Sequence, residues 1–138
     1  MVVVIVGGGK VGSFLAQMLG EAGHEVTLVE FRPEQCTRLE GELQDNVRLI
    51  CGDGDEPYIL EDANVTKADA IVAATGDDED NLVVCLLGKY EYKVPLTIAR
   101  INNPKNEWLF TDEFGVDIPV SNTSMIANLL EKHVVTKQ

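Results

Sequence analysis

Val2-Val3-Val4-Ile5-Val6-Gly7-Gly8-Gly9-Lys10-Val11-Gly12 is the stretch that decides the fold. Its unbroken β-branched run suits a strand buried on both faces, as in parallel sheets. Glycines follow at positions 7, 9 and 12, in the pattern G-x-G-x-x-G. Behind them Phe14, Leu15, Met18, Leu19 and Ala22 repeat at helical spacing over Val11–Ala22, and Gly23 marks the stop. Strand, glycine turn and helix therefore stand in the order of a phosphate-binding βα unit. The first glycine permits the tight turn, the second lets a pyrophosphate reach the backbone, and the third lets helix and strand pack closely. Free amides at the helix N-terminus then meet the phosphates.

The rest of the chain repeats the theme. Val26–Glu30 reads as a second strand, and Pro33 opens a helix through about Leu43. Val47–Cys51 is a third strand, followed by the turn Gly52-Asp53-Gly54-Asp55 and a short helix from Pro57 to Asp62. Ala70–Ala74 is a fourth strand, with a helix from Asp77 to about Tyr90 whose acidic start suits the helix dipole. Leu96–Arg100 is a fifth strand, and Asn103-Pro104 opens a helix to about Phe114. Asp117–Val120 is a short sixth strand and Ser121–His133 a last helix. Alternating strands and helices predict an α/β fold of the doubly wound Rossmann type. Its six-stranded parallel sheet has the order 3-2-1-4-5-6, with helices on both faces. Residues 1–134 are expected to make one nucleotide-binding domain, and 135–138 a frayed tail.

Glu30 lies 18 residues after Gly12, where an acid binds adenosine ribose hydroxyls. Its charge disfavours a ribose 2′-phosphate, which points to NAD, ADP or ATP over NADP. Arg32 is close enough to help a 2′-phosphate, though a solvated arginine before Pro33 is the preferred reading. Lys10 either adds charge to the phosphate site or points to water. Two more loops follow carboxyl ends of strands, the edge where such sheets bind ligands. In one, Asp53 can accept from an adenine amino group. In the other, Thr75 and Gly76 can line phosphates or the distal ribose. Either loop can equally be only a turn. Arg100, on the same edge, can pair with a phosphate or with a neighbouring subunit.

Composition narrows the classes. The net charge of −12 over 138 residues repels nucleic acid and anionic lipid. No apolar run approaches the ~20 residues of a membrane span, and no secretory signal is visible. Three cysteines at wide spacing (Cys36, Cys51 and Cys85) argue against a disulfide framework and against zinc. Cys51 and Cys85 sit among apolar residues and read as buried thiols, so a reducing cytoplasm is expected.

A more specific signal comes from the later motifs taken together. They are Ala22-Gly23-His24-Glu25-Val26, Gly52-Asp53, Leu60-Glu61-Asp62-Ala63, Ala68-Asp69-Ala70, Ala74-Thr75-Gly76-Asp77-Asp78-Glu79-Asp80-Asn81 and Ala99-Arg100-Ile101-Asn102-Asn103-Pro104. With the glycine loop, they resemble the TrkA N-terminal domain, or RCK (regulator of potassium conductance), over nearly the whole chain. The resemblance implies a cytoplasmic regulatory subunit at the inner face of the membrane. There it assembles as a homo-oligomer, up to a ring, on a membrane-embedded potassium channel or transporter. Binding of NAD(H) or ADP/ATP then changes the ring's shape and gates ion flow. The implied contacts are Gly7, Gly8, Gly9, Lys10, Val11, Gly12, Glu30, Phe31, Asp53, Thr75, Gly76 and Arg100. Two positions depart from the family pattern. Arg32 stands where a second acid is common and Lys10 where arginine is common, which leaves the nucleotide open. Many relatives continue into a C-terminal regulatory domain; with its end at Gln138, this chain reads as a minimal subunit or an excised fragment.

The alternative is an NAD-dependent oxidoreductase, which needs a proton donor beside the hydride acceptor. The Tyr-x-x-x-Lys pattern is absent, and neither His24 nor His133 is placed to catalyse. No catalytic residue and no metal site is expected. Trp108, Phe110 and the apolar stripe Met125, Ile126, Leu129 and Leu130 suggest a subunit interface.

Overall fold

A computed structural model describes residues 1–136. Six strands form one sheet: β1 (Val2–Val6), β2 (Glu25–Glu30), β3 (Val47–Cys51), β4 (Ala70–Ala73), β5 (Leu96–Ile101) and β6 (Ile118–Ser121). The order is β3-β2-β1-β4-β5-β6 and every pairing is parallel, as the alternation of strands and helices predicts. Successive strand residues point to opposite faces. Val3 and Ile5 meet α1 (Lys10–Glu21) and α2 (Pro33–Glu42) on one side through Ala16 and Leu39. Val4 and Val6 meet α3 (Pro57–Asp62) and α4 (Asp78–Leu86) on the other through Leu60 and Val84. α5 (Asn122–Thr136) follows β6.

The β1 turn shows why glycine is needed there. Gly7 has φ +113, and a Cβ on it would sit 2.7 Å from the backbone of Ala74 and Thr75. A Cβ on Gly12 would collide with the Gly7 carbonyl oxygen. The helix start can therefore come this close to the strand end only without side chains at these two positions.

Four expectations are corrected. The helix expected from Asp77 to Tyr90 is α-helical only to Leu86 and closes with one π turn over Leu87–Glu91. The helix expected from Asn103 to Phe114 is two 3₁₀ segments, Pro104–Leu109 and Asp112–Phe114. Between them Phe110 leaves helical space (φ −88, ψ 70) and puts its ring into the core at 3% exposure, so it is not an interface residue. Cys36 and Cys51 form a disulfide, with Cα atoms 6.1 Å apart, and Cys51 is exposed. Cys85 is a buried free thiol, pushed up to about 12 by burial and by the charge of Asp117. The last helix ends at Thr136, and residues 137 and 138 of the expected tail lie outside the described residues.

Gly12→Ala is expected to lower stability by about 1–3 kcal/mol or more through overpacking. Gly41 lies on α2 with nothing within 4 Å of its Cβ position. Gly41→Ala is expected to raise stability by about 0.5–1 kcal/mol. Urea unfolding of both variants checks the contrast.

Candidate functional site

Chain order runs in opposite directions on the two sides of the β1–β4 pair, and a crevice opens at the carboxyl ends there. The cleft holds about 400 Å³, within the range of small-molecule sites. Gly7, Gly9, Glu30, Phe31, Asp53, Thr75, Gly76 and Arg100 all line it, from loops far apart in sequence. The remaining residues of the expected set do not. Gly8 is buried beneath the turn, and Gly12 packs in α1. Lys10 and Val11 line a separate apolar patch with Phe14, Leu15 and Met18 on the outside of α1.

Glu30 ends β2 at 3% exposure. Its Oε1 accepts from the Gly8 amide at 2.9 Å and from Arg32 Nη2 at 3.0 Å. Its Oε2 accepts from the Arg32 amide at 2.7 Å and from Arg32 Nε at 3.1 Å. Burial opposes the charge, but the Arg32 side chain and the two amides outweigh it and hold the carboxyl below its ordinary range. Arg32 is therefore no free solvated arginine. Its exposed side chain grips the carboxylate that the sequence reading assigns to ribose.

The opposite wall depends on Asn81, fully buried in α4. Its Oδ1 accepts from the Thr75 amide at 3.0 Å and the Thr75 hydroxyl at 2.7 Å. Its Nδ2 donates to the carbonyls of Thr75 at 3.1 Å and Arg100 at 2.9 Å. Asp78 accepts from the amides of Asn102 and Asn103 and from the side chain of Asn106. These contacts hold its carboxyl low despite burial. The Thr75, Asp78, Asn81 motif thus joins the β4 loop to the end of β5 and positions Thr75 and Arg100.

Three observations fit a phosphate-bearing ligand. Gly9 caps α1 without a side-chain bond, and first-turn amides have no partner within a helix. A Cβ on Gly9 would meet only Arg32 Nη2, at 3.8 Å, so space stands open above it. Arg100 Nε is buried and has no hydrogen-bond partner among the described residues. Four acids that the sequence reading did not group (Asp53, Asp55, Asp77 and Asp80) crowd the same cleft. Burial first, then Asp80, Asp53 and Asp77, push the Asp55 carboxyl up to about 7. The sequence signal for this crowding was the recurrence of Asp in two loops that the topology brings to one edge.

Sheet order, glycine turn and the acid closing β2 define a Rossmann-type α/β domain with its cleft at the strand carboxyl ends. The chain belongs to the TrkA-N domain family, whose model matches residues 3–122. It is 42% identical over 134 residues to the Trk system potassium uptake protein TrkA of Mycobacterium tuberculosis, covering 97% of this chain and 60% of that protein. It is 45% identical over 132 residues to a TrkA homolog of Methanothermobacter thermautotrophicus, covering 96% of this chain and 59% of that one. The chain thus spans about 60% of the length of these curated relatives. Among solved structures, the TrkA-N domain of the Escherichia coli inner membrane protein ybaL aligns with TM-score 0.81 at 19% identity, over 94% of this chain and 93% of that one. GsuK bound to ADP aligns with TM-score 0.77 at 26% identity, over 99% of this chain and 34% of that one.

Asp55 supplies a pH test of this geometry. Its folded-state pKa, raised from 3.8 to about 7, means that its ionisation penalises the fold as pH rises between those values. Asp55→Asn is expected to leave stability unchanged near pH 4 and to raise it increasingly up to pH about 7. Above that the gain levels off at roughly 1 kcal/mol, the shift being discounted for solvent screening. Thermal unfolding across that range reads the effect.

Proposed function

We propose that this chain is the nucleotide-sensing domain of a potassium-uptake system, binding NAD(H) or ADP/ATP as a regulatory ligand without transforming it. The observation that carries the reading is the unpartnered, buried Arg100 Nε in one cleft with the Gly9-capped start of α1 and the Glu30 carboxylate. Support for the ligand class comes from the likeness to GsuK bound to ADP. Support for potassium comes from the TrkA relatives.

In this reading the phosphates lie on the Gly7–Gly12 turn, adenine lies by Phe31 and Asp53, and the distal part of the ligand reaches Thr75 and Arg100. The ribose hydroxyls compete with Arg32 for Glu30, whose acceptor positions Gly8 and Arg32 already occupy. A bound nucleotide supplies only charge and shape here. Ligands differing at the distal end shift the subunit arrangement through their difference in affinity for its states. The functional unit is a homo-oligomer on the inner face of the membrane, held there by a channel or transporter partner. Among the described residues no helix is long and apolar enough to cross a membrane. Assembly has support from α5, which leaves Met125, Ile126, Leu129, Leu130 and Val134 exposed, and from the exposed Trp108.

For the oxidoreductase alternative, no histidine, tyrosine or lysine lines the cleft among the described residues. His24 pairs with the N-terminus at 3.0 Å, at the amino edge of the sheet and away from the cleft. The Asp55 carboxyl in the cleft is pushed up to about 7, and burial together with the neighbouring acids accounts for that without a catalytic role.

Calorimetric titration with NADH, NAD, NADPH, ADP and ATP tests the reading, with Gly9→Asp as control. Glu30→Ala is expected to weaken every adenosine ligand by about 10-fold or more. Arg100→Ala is expected chiefly to change discrimination between ligands. Absence of binding by all five overturns nucleotide sensing; equal effects of both variants on every ligand overturn the division between the two ends.

A further inference from the structure

Cys36 and Cys51 stand beside the adenosine end of the cleft and take no part in the reading above. Cys36 lies on α2 at 4% exposure, and Cys51 ends β3 exposed, directly before Gly52 and Asp53 of the cleft wall. Both adjoin Glu30. Cys51 is its register partner, the Gly52 amide donates to its carbonyl at 2.9 Å, and Cys36 Sγ lies 3.3 Å from that same carbonyl oxygen. The 6.1 Å between their Cα atoms is a normal disulfide spacing.

We propose that Cys36 and Cys51 are a reversible thiol–disulfide site that sets the cleft's affinity for its adenosine ligand; the coupling rests on the nucleotide reading above. The oxidant is a small-molecule disulfide. The exposed Cys51 thiolate attacks one of its sulfurs, the reagent's S–S bond breaks, and the first small thiol leaves. Cys36 then attacks the Cys51 sulfur and expels the second small thiol. Two electrons pass from the protein dithiol to the reagent, and the two thiol protons end on the released thiols. Excess small thiol reverses the sequence. Cys85 stays out, being fully buried and protonated, with its thiol pushed up to about 12.

Coupling follows from what the bond joins. When closed, it fixes the start of α2 to the end of β3, and so holds Phe31 and Arg32 against Gly52 and Asp53. When open, those segments regain freedom that the ligand must remove on binding. The oxidised chain binds more tightly, and by linkage the ligand favours oxidation by the same factor.

The test equilibrates the chain in graded mixtures of glutathione and glutathione disulfide, with and without saturating ADP. Alkylation and peptide mass spectrometry read each cysteine, and calorimetry reads ADP affinity at the two extremes. The expected result is one two-electron transition confined to Cys36 and Cys51, with ADP bound about 3–10-fold more tightly by the oxidised chain. ADP moves the transition toward more reducing mixtures. Cys36→Ser is expected to stop at a mixed disulfide on Cys51 and to keep the weaker affinity throughout. No Cys36–Cys51 bond at any mixture overturns the site. Equal affinity of both states overturns the coupling and leaves nucleotide binding standing. Absence of ADP binding in both states overturns the coupling to ADP and leaves the nucleotide reading to the five-ligand titration, while the thiol titration still decides the site.

Discussion

The buried carboxylate of Glu30 is the constraint on which the cleft depends. An unpaired charge at 3% exposure would cost several kcal/mol. Here the cost is offset by two backbone amides and the forked guanidinium of Arg32. The Gly8 amide is the important partner, because it ties the glycine turn to the end of β2. The turn then has a fixed place over the sheet, and α1 presents its amide end to the cleft. Without that bond, Gly7 and Gly12 would still allow the close approach but would not determine where the turn sits.

The facing wall uses a different device. No charge is buried at Asn81; one amide side chain joins the Thr75 loop to the last residues of β5, while Asp78 gathers the Asn102–Asn106 turn. One wall is therefore set by an ion pair that a ligand can contest, the other by a closed hydrogen-bond network. The acids around Asp55 add a field that opposes a polyphosphate. Arg100 and the α1 amides act against it, and the balance changes near neutral pH as Asp55 ionises. Under the proposed reading, discrimination among nucleotides is an electrostatic question at the distal end and a hydrogen-bond question at the ribose end.

Most of the sheet was legible in the sequence, because buried parallel strands are continuous β-branched runs and the glycine turn has few alternatives. The cleft was legible to the extent that its residues end strands: Gly7, Glu30, Asp53, Thr75 and Arg100 all converge there. What was not legible required contacts across the chain. Arg32 read as solvated because its pairing with Glu30 depends on how the chain bends before Pro33. The cysteine pair was hidden because a sequence separation of 15 becomes 6.1 Å only when α2 folds back over β3. Phe110 read as an interface residue because a helical pattern over 104–114 was assumed. The break that turns its ring inward (φ −88, ψ 70) goes with its place in the core, not with local periodicity. The Thr75, Asp78, Asn81 motif was visible as a family signature, but its role as a positioning network was not.

Amide-proton–nitrogen correlation NMR during titration with ADP tests the central claim most directly, because it reports each backbone position separately. The account predicts that the amides of Gly8, Gly9, Lys10, Arg32, Asp53 and Thr75 shift together with one affinity. It also predicts that the Arg32 Nε–H signal moves as ribose displaces it from Glu30, while α5 stays unperturbed. Shifts confined to α5 or to the Phe14–Met18 face of α1, or none at saturating ADP and none in a repeat with NAD, would contradict it.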